Sequence, residues 1–346
     1  MPDLALITRH LRAKASSEML VAAVHHLKVF EFLSEKPCTE EELQKLLGLK
    51  DRPFVVMYSA LCAMELILKD GNAKFQLTEA GRFLTNACRH NLVGYSSLQK
   101  EEPGVIELYK WLINDGPENE DQSLSYIKDE KAASPMDDPE LARYFTLALA
   151  GRAGHLAPVV ASILPQSHGH LLDVACGTGY YTYEWLKRNP KASATLFDRA
   201  EVLKVTRELL QQRMVNDSEE QVLERIQFIP GDMFTDSLPS SDILLAASVH
   251  HDWPGDTCAM LTRKFAASIR YGGELWVHDA FLNDELNGPL AVTDYSTMLF
   301  LGTRGRAYSR KEYNKWFTDA GLLPSVGSIP TGMDYELISA RKSMHH

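Results

Sequence analysis

Three features of this chain carry residue types that do chemistry. Adjacent histidines stand in VHHDWP (249–254), and Asp279 closes the apolar run ELWVHD. A glycine loop, CGTG (176–179), lies between an apolar run ending at Val174 and a later acid, Asp198. An imidazole beside a carboxylate is the usual construction of a general base, because the acid orients the ring and favours its protonated form. If Asp279 reaches a ring nitrogen of His251, the two make such a base. Successive side chains of an extended segment point to opposite sides, so His250 and His251 do not both face one ligand, and no metal site is expected there. A lone histidine is more often structural than catalytic; its place at the mouth of a strand is what favours catalysis.

The loop must be held by the elements around it. Leu171, Leu172 and Val174 give the short apolar run of a parallel strand covered on both faces. Gly177 and Gly179 permit a turn that residues with a β-carbon make only at a cost. The spacing then predicts a helix over 180–189, stopped by Pro190. Such a loop brings backbone N–H groups and a helix N-terminus to a ligand. ATLFD (194–198) predicts the next strand, and an acid at its tip is where an open α/β sheet grips a ribose hydroxyl. G-x-G-x-x-G fails at Thr182 and no G-x-x-x-x-G-K-[ST] occurs, so dinucleotide and P-loop sites are set aside. On this motif alone an ordinary strand–helix turn stays open. Gly231-Asp232-Met233-Phe234 ends the third strand, where Asp232 either accepts from an adenine amino group or caps the turn that follows.

At 346 residues the chain exceeds the size at which one core usually suffices, so two domains are expected. A net charge of −10 argues for a small-molecule partner and against nucleic acid. The cysteines are odd in number, scattered and without C-x-x-C, which suits free thiols in a reducing, cytoplasmic setting. No apolar run approaches a membrane span.

Residues 1–90 read as a helix over 20–33, a second opened by Thr39 and closed by Gly48, and a third over 54–67. A hairpin around Asp70-Gly71 and a helix capped at Thr78 follow. This is a winged-helix pattern, but helix 54–67 has no Lys or Arg, so dimerisation is favoured over DNA binding. Residues 91–165 are expected to link the halves. Here GPENEDQS and ASPMDDPE read as loops, and 140–164 as a long helix broken near Gly151–Gly154. From 166 to 346 strands and helices alternate, the rhythm of a doubly wound parallel sheet.

Jointly these motifs resemble the plant-type O-methyltransferase family, which includes caffeic acid, acetylserotonin and bacterial antibiotic-pathway enzymes. HDW after the fourth strand is similar to its catalytic motif. DVACGTG stands where members carry D-V-G-G-G-x-G, and LFDRAEVL where they carry F-D-L-P-x-V. PGDMF and HHDWPGDTC match the third and fourth motifs, and YGGELWVHDAF matches P-G-G-x-L-L-V-x-E. LKVFEFL, TEEELQKLLGL and FQLTEAGRFL match the winged-helix dimerisation domain.

The resemblance implies an α/β fold: a Rossmann-like class I methyltransferase domain preceded by a mainly helical dimerisation domain. It implies S-adenosylmethionine as cofactor, S-adenosylhomocysteine as product, a homodimer, and a small hydroxylated, aromatic acceptor. Neither nucleic acid nor membrane is an implied partner. By the same resemblance Asp173, Gly177 and Gly179 line the methionine and ribose parts of the cofactor. Asp198, with Arg199 beside it, binds the ribose, and Asp232, Met233 and Phe234 flank the adenine. His251 takes the acceptor's proton and Asp279 steadies it. Trp253 and Met298 pack cofactor or acceptor, and Leu149 stands near where a clamping Met is common. Tyr295 and Leu299, on the stretch 295–308, are further candidates for lining the acceptor. Members often carry a second acid in G-G-[KR]-E-R-T, and Ala307 takes its place here. That departure motivates a second reading, in which the same scaffold catalyses rearrangement, decarboxylation or hydroxylation. A third, a winged-helix transcriptional regulator, is opposed by the acidic chain.

Overall fold

The structure, a computed structural model, describes residues 2–117, 134–217 and 221–344. The chain opens with α1 (Ala5–His25), α2 (Val29–Glu35), α3 (Glu40–Leu47), α4 (Asp51–Ala63), β1 (Ile67–Lys69), β2 (Phe75–Leu77), α5 (Val93–Ser96) and α6 (Pro103–Asn114). The helix expected over 20–33 is two helices, because the chain turns at Lys28 in the left-handed region (φ 57) and so buries Leu27, Val29 and Phe30. α3 starts as its sequence dictates. Thr39 Oγ1 accepts the Glu42 N–H and the Glu42 carboxylate accepts the Thr39 N–H, a reciprocal cap, and Gly48 (φ 66) closes the helix. α4 begins earlier than expected and so includes Arg52, but that cation is held by Asp115 at 2.7 Å and by the Thr303 carbonyl at 2.8 Å. Phe54, Val56, Met57, Tyr58 and Leu61 bury most of the remaining surface of α4. β1 and β2 pair antiparallel, with the Asp70 carboxylate accepting from the Asn72 and Lys74 N–H groups in the turn. After them Thr78 Oγ1 accepts the Gly81 N–H, and a short 3₁₀ turn (Gly81–Leu84) stands where a full helix was expected.

Next come α7 (Pro139–Ile163), β3 (His170–Val174), α8 (Tyr180–Arg188), β4 (Ser193–Asp198), α9 (Ala200–Asp217), β5 (Ile226–Pro230), β6 (Ser241–Ala247), α10 (Gly255–Ser268) and β7 (Ile269–Asp279). The chain ends with α11 (Leu290–Phe300), α12 (Arg310–Asp319), β8 (Leu322–Pro324), β9 (Ile329–Gly332) and β10 (Tyr335–Lys342). The main sheet runs β5-β4-β3-β6-β7-β10-β8, with β9 on β10. β3 to β7 are parallel, and the middles of β3, β4, β6 and β7 are buried on both faces through Leu171, Leu172, Leu196, Phe197, Leu244, Leu245, Leu275 and Val277, while β5 lies at the sheet edge and is less buried. The direction of winding reverses between β3 and β6, and the carboxyl ends of strands at such a switch are where open α/β sheets hold ligands.

Among the described residues, 4–117 and 281–310 pack as one compact unit, and 2–3, 134–280 and 311–344 as another. The expected boundaries, 1–90, 91–165 and 166–346, fall elsewhere. α7 packs on α8 and α9 and so belongs with the sheet, while α11 leaves the sheet unit to pack on α1 and α4. α7 is also unbroken at Gly151 and Gly154. A β-carbon on Gly154 would sit 3.6 Å from the Tyr180 ring, so this glycine serves close approach to α8. Asp138 opens α7 by accepting the N–H groups of Glu140 and Leu141, within the stretch expected to be loop. The other polar stretch, GPENEDQS, lies outside the described residues after Pro117. α7 is, contrary to expectation, long and apolar enough to cross a membrane by length and composition, and a third of its most apolar window is buried.

Candidate active site

β3 leads into a loop whose backbone is left-handed at Ala175 (φ 54), Gly177 (φ 51) and Gly179 (φ 68). The two glycines are needed for different reasons. A β-carbon on Gly179 would come within 2.9 Å of Thr206 Cγ2 and 3.0 Å of Leu196 Cδ1, so α9 and β4 exclude it. A β-carbon on Gly177 would meet nothing within 4 Å; that flank of the loop is open. Asp198 Oδ2 accepts the Gly177 N–H at 2.9 Å and Oδ1 accepts the Arg199 N–H at 2.7 Å. Asp173, 1% exposed, takes the Thr182 hydroxyl on Oδ2 at 2.7 Å, while its Oδ1 has no hydrogen-bond partner. Burial pushes Asp173 up to about 7 and Asp198 up to about 6. A buried acid with an orphaned oxygen and a half-buried acid, beside an open loop, suit a ligand that brings hydroxyl donors and positive charge.

Arg199 pairs with Asp137 at 2.5 Å and with Asp232 at 2.8 Å. Asp232 Oδ1 also accepts the Phe234 N–H at 2.8 Å. The turn-capping alternative for Asp232 is therefore realised, and its other oxygen belongs to Arg199. Phe234 meets Trp253 edge to face, centroids 4.6 Å apart, and Met233 is half-buried between Asp232 and Phe234.

The histidines sit in a 3₁₀ turn (His250–Asp252), not in extended chain, yet they do diverge. His250 is fully buried, hydrogen-bonded through Nε2 to Thr262 at 3.1 Å, and stacked on Trp316. Burial drives its pKa down to about 4, so it is a neutral core residue. His251 Nδ1 lies 2.6 Å from Asp279 Oδ1, with both residues buried. Asp252 Oδ1 stands 3.5 Å from His251 Nε2. Burial opposes charging His251, but Asp279 and Asp252 outweigh it and raise its pKa above the ordinary 6.5. Burial likewise works to raise Asp279, and His251 more than offsets it, so Asp279 is lowered and ionised. Antiparallel pairing with β10, Glu336 opposite Asp279, fixes the end of β7 that carries this acid.

Three partners were not singled out from sequence. Thr182 fixes Asp173, Tyr313 donates its hydroxyl to Asp279 Oδ2 at 3.2 Å, and Arg152 of α7 hydrogen-bonds Tyr335 and acts electrostatically on His251. Each comes from a different element, and no local motif marks such a pairing. Of the acceptor candidates, Leu149 on α7 and Met298 on α11 are each 42% exposed. Tyr295 and Leu299 are buried in the helical unit, Tyr295 with the Arg12 guanidinium 4.1 Å from its ring centre. Ala307 is buried in the same unit and donates its N–H to Ser296 Oγ.

The chain is similar to several known proteins. An O-methyltransferase family 2 protein from Planctomyces limnophilus, solved in complex with apigenin, shares 36% identity and a TM-score of 0.86, over 99% of this chain and 96% of that one. The 3-hydroxy-5-methyl-1-naphthoate 3-O-methyltransferase of Streptomyces sahachiroi is 24% identical over 88% of this chain and 85% of its own. Acetylserotonin O-methyltransferase of Bos taurus is 31% identical over 172 residues, half of this chain and 47% of that protein, so the match spans about half the length of such relatives. A family model, the O-methyltransferase domain, matches residues 138–323. That stretch holds the glycine loop, Asp198, Asp232 and the His251–Asp279 pair, and by it the chain belongs to the O-methyltransferase domain family.

Proposed function

We propose that the protein is an S-adenosylmethionine-dependent O-methyltransferase that methylates a hydroxyl of a small aromatic metabolite, as a homodimer in the cytoplasm. The observation that carries this reading is the buried 2.6 Å contact of His251 with Asp279, in the unit that also holds an open glycine loop flanked by Asp173 and Asp198. The donor set fits the cofactor. Asp198 would accept from the ribose hydroxyls, the backbone at Gly177 leaves room for close approach, and the orphaned oxygen of Asp173 would take a donor from the methionine end. Met233, Phe234 and Trp253 would form the apolar edge for the adenine. When bound, S-adenosylmethionine supplies a methyl group already activated on a sulfonium.

The chain's own residues then have two tasks. Alignment of acceptor and methyl provides most of the acceleration, since a well-placed pair reacts as one molecule. With Nδ1–H committed to Asp279, Nε2 of His251 is the nitrogen that accepts the hydroxyl proton, and the base contributes about 10²–10⁴-fold. The imidazolium so formed lies between Asp279 and Asp252, two carboxylates that offset the absence of an acid at Ala307. The aromatic acceptor is supported by the relatives, one a hydroxynaphthoate methyltransferase, another solved with apigenin. Leu149 and Met298 each keep an exposed side chain, whereas Tyr295 and Leu299 are already packed. The helices and hairpin of residues 1–90 are proposed as a winged-helix dimerisation module.

A panel of phenols, naphthols and flavonoids incubated with methyl-labelled S-adenosylmethionine tests the reading. Label in an ether product supports it; cofactor that binds while no hydroxyl in the panel is ever labelled contradicts it.

A further inference from the structure

We infer that Tyr313 is a positioning residue for the base, its hydroxyl holding the second oxygen of Asp279 so that the first is presented to His251. The inference rests on His251 acting as the base. Asp279 Oδ1 accepts from His251 Nδ1 at 2.6 Å and from the Ala280 N–H at 2.8 Å, while Oδ2 accepts from the Tyr313 hydroxyl at 3.2 Å. Tyr313 and Asp279 are each 1% exposed, so solvent gives neither an easy substitute. The Tyr313 ring is fixed by edge contacts to His250 at 5.2 Å and Trp316 at 5.0 Å, which aims the hydroxyl from α12 at the end of β7. A phenylalanine would fill the same space. What the hydroxyl adds is therefore electrostatic: a donor on the carboxylate spreads its negative charge and weakens its hold on the imidazolium.

That weakening matters because the surroundings of His251 already favour the charged ring. Asp279 and Asp252 face it with negative charge, Arg152 of α7 opposes them, and His250, which is neutral, adjoins it. His278 of β7 and Tyr181 of α8 also interact with Asp279. A base that is protonated too readily is idle at neutral pH, and the Tyr313 hydroxyl moves His251 back toward the neutral form that accepts a proton.

Tyr313→Phe tests this. The acid limb of kcat against pH should move to higher pH by about half a unit or more, a roughly threefold loss of turnover below the limb that recovers on the alkaline plateau. The His251 imidazole, followed by NMR in the same variant, should titrate at correspondingly higher pH. Phe265→Leu, which alters the packing around His250 and leaves the ring contacts that aim Tyr313 in place, should leave both where they are. An unmoved limb and unmoved titration in Tyr313→Phe would overturn the assignment. So would a loss that is equal at every pH, which marks packing alone. Wild-type turnover in His251→Ala would instead remove the base reading, and the imidazole titration would still report whether Tyr313 acts on the pair.

Discussion

His251 and His250 are neighbours in sequence with opposite surroundings, and their substitutions should separate accordingly. His251→Ala should cut turnover by about 10²–10⁴-fold and leave cofactor affinity nearly intact. His250→Ala removes a ring packed against Phe265, Tyr313 and Trp316, so its effect should appear in thermal unfolding, about 2–4 kcal/mol, with far less change in turnover of the folded enzyme. Turnover of the wild type should fall as pH drops through the pKa of His251, which Asp279 and Asp252 hold above 6.5. An acid limb below 6.5 would contradict this. A second pH effect belongs to Asp173 and Asp198, raised to about 7 and about 6 in the free protein. Ligand hydroxyls and positive charge favour their ionised forms, so binding of S-adenosylmethionine at pH 6.5 should release up to about one proton. Calorimetry in two buffers of different ionisation enthalpy measures it. The affinity should weaken as pH falls from 7 to 6, and Asp198→Ala should lose most of it; proton uptake, or undiminished binding in that variant, would contradict the site.

The glycine loop between β3 and α8 gives the clearest prediction at the level of elements. Gly179→Ala meets both a left-handed backbone and contacts under 3.1 Å, so it should destabilise the fold by about 2–4 kcal/mol. Gly177→Ala has the strained backbone but open space, about 1–2 kcal/mol, and should instead weaken cofactor binding by placing a methyl group on the open flank. Equal loss of stability with unchanged affinity in both would show that the flank holds no ligand. Elements with a local cause were legible: the parallel strands from their apolar runs, α3 from Thr39 and Glu42, α8 from the loop and Pro190. Elements decided by distant packing were not. The break at Lys28, the continuity of α7 through Gly151 and Gly154, and helix α11 depend on what each segment is buried against. In the site, Asp198 and the divergence of the histidines could be read from position, whereas Thr182, Arg152 and Tyr313 reach it from other elements.

For the whole molecule, the proposed homodimer has a physical motive within the helical unit. Leu6, Ile7 and Leu11 on the first turns of α1 are exposed at 68%, 56% and 73%, apolar side chains that a second copy would cover. Light scattering at micromolar concentration should give twice 38.8 kDa, and Leu11→Asp should shift it toward a single chain; a single-chain mass for the wild type would contradict the dimer. The return of residues 281–310 to the unit of the N-terminal helices was not legible, because that segment carries no boundary signal of its own. The central claim is methyl transfer to a hydroxyl prepared by His251. Mass spectrometry of acceptor and cofactor together, in wild type and His251→Ala, tests it most directly. The expected result is a gain of one methyl per acceptor with one S-adenosylhomocysteine formed per product, slowed in His251→Ala; product formed while S-adenosylmethionine stays unconsumed would contradict it.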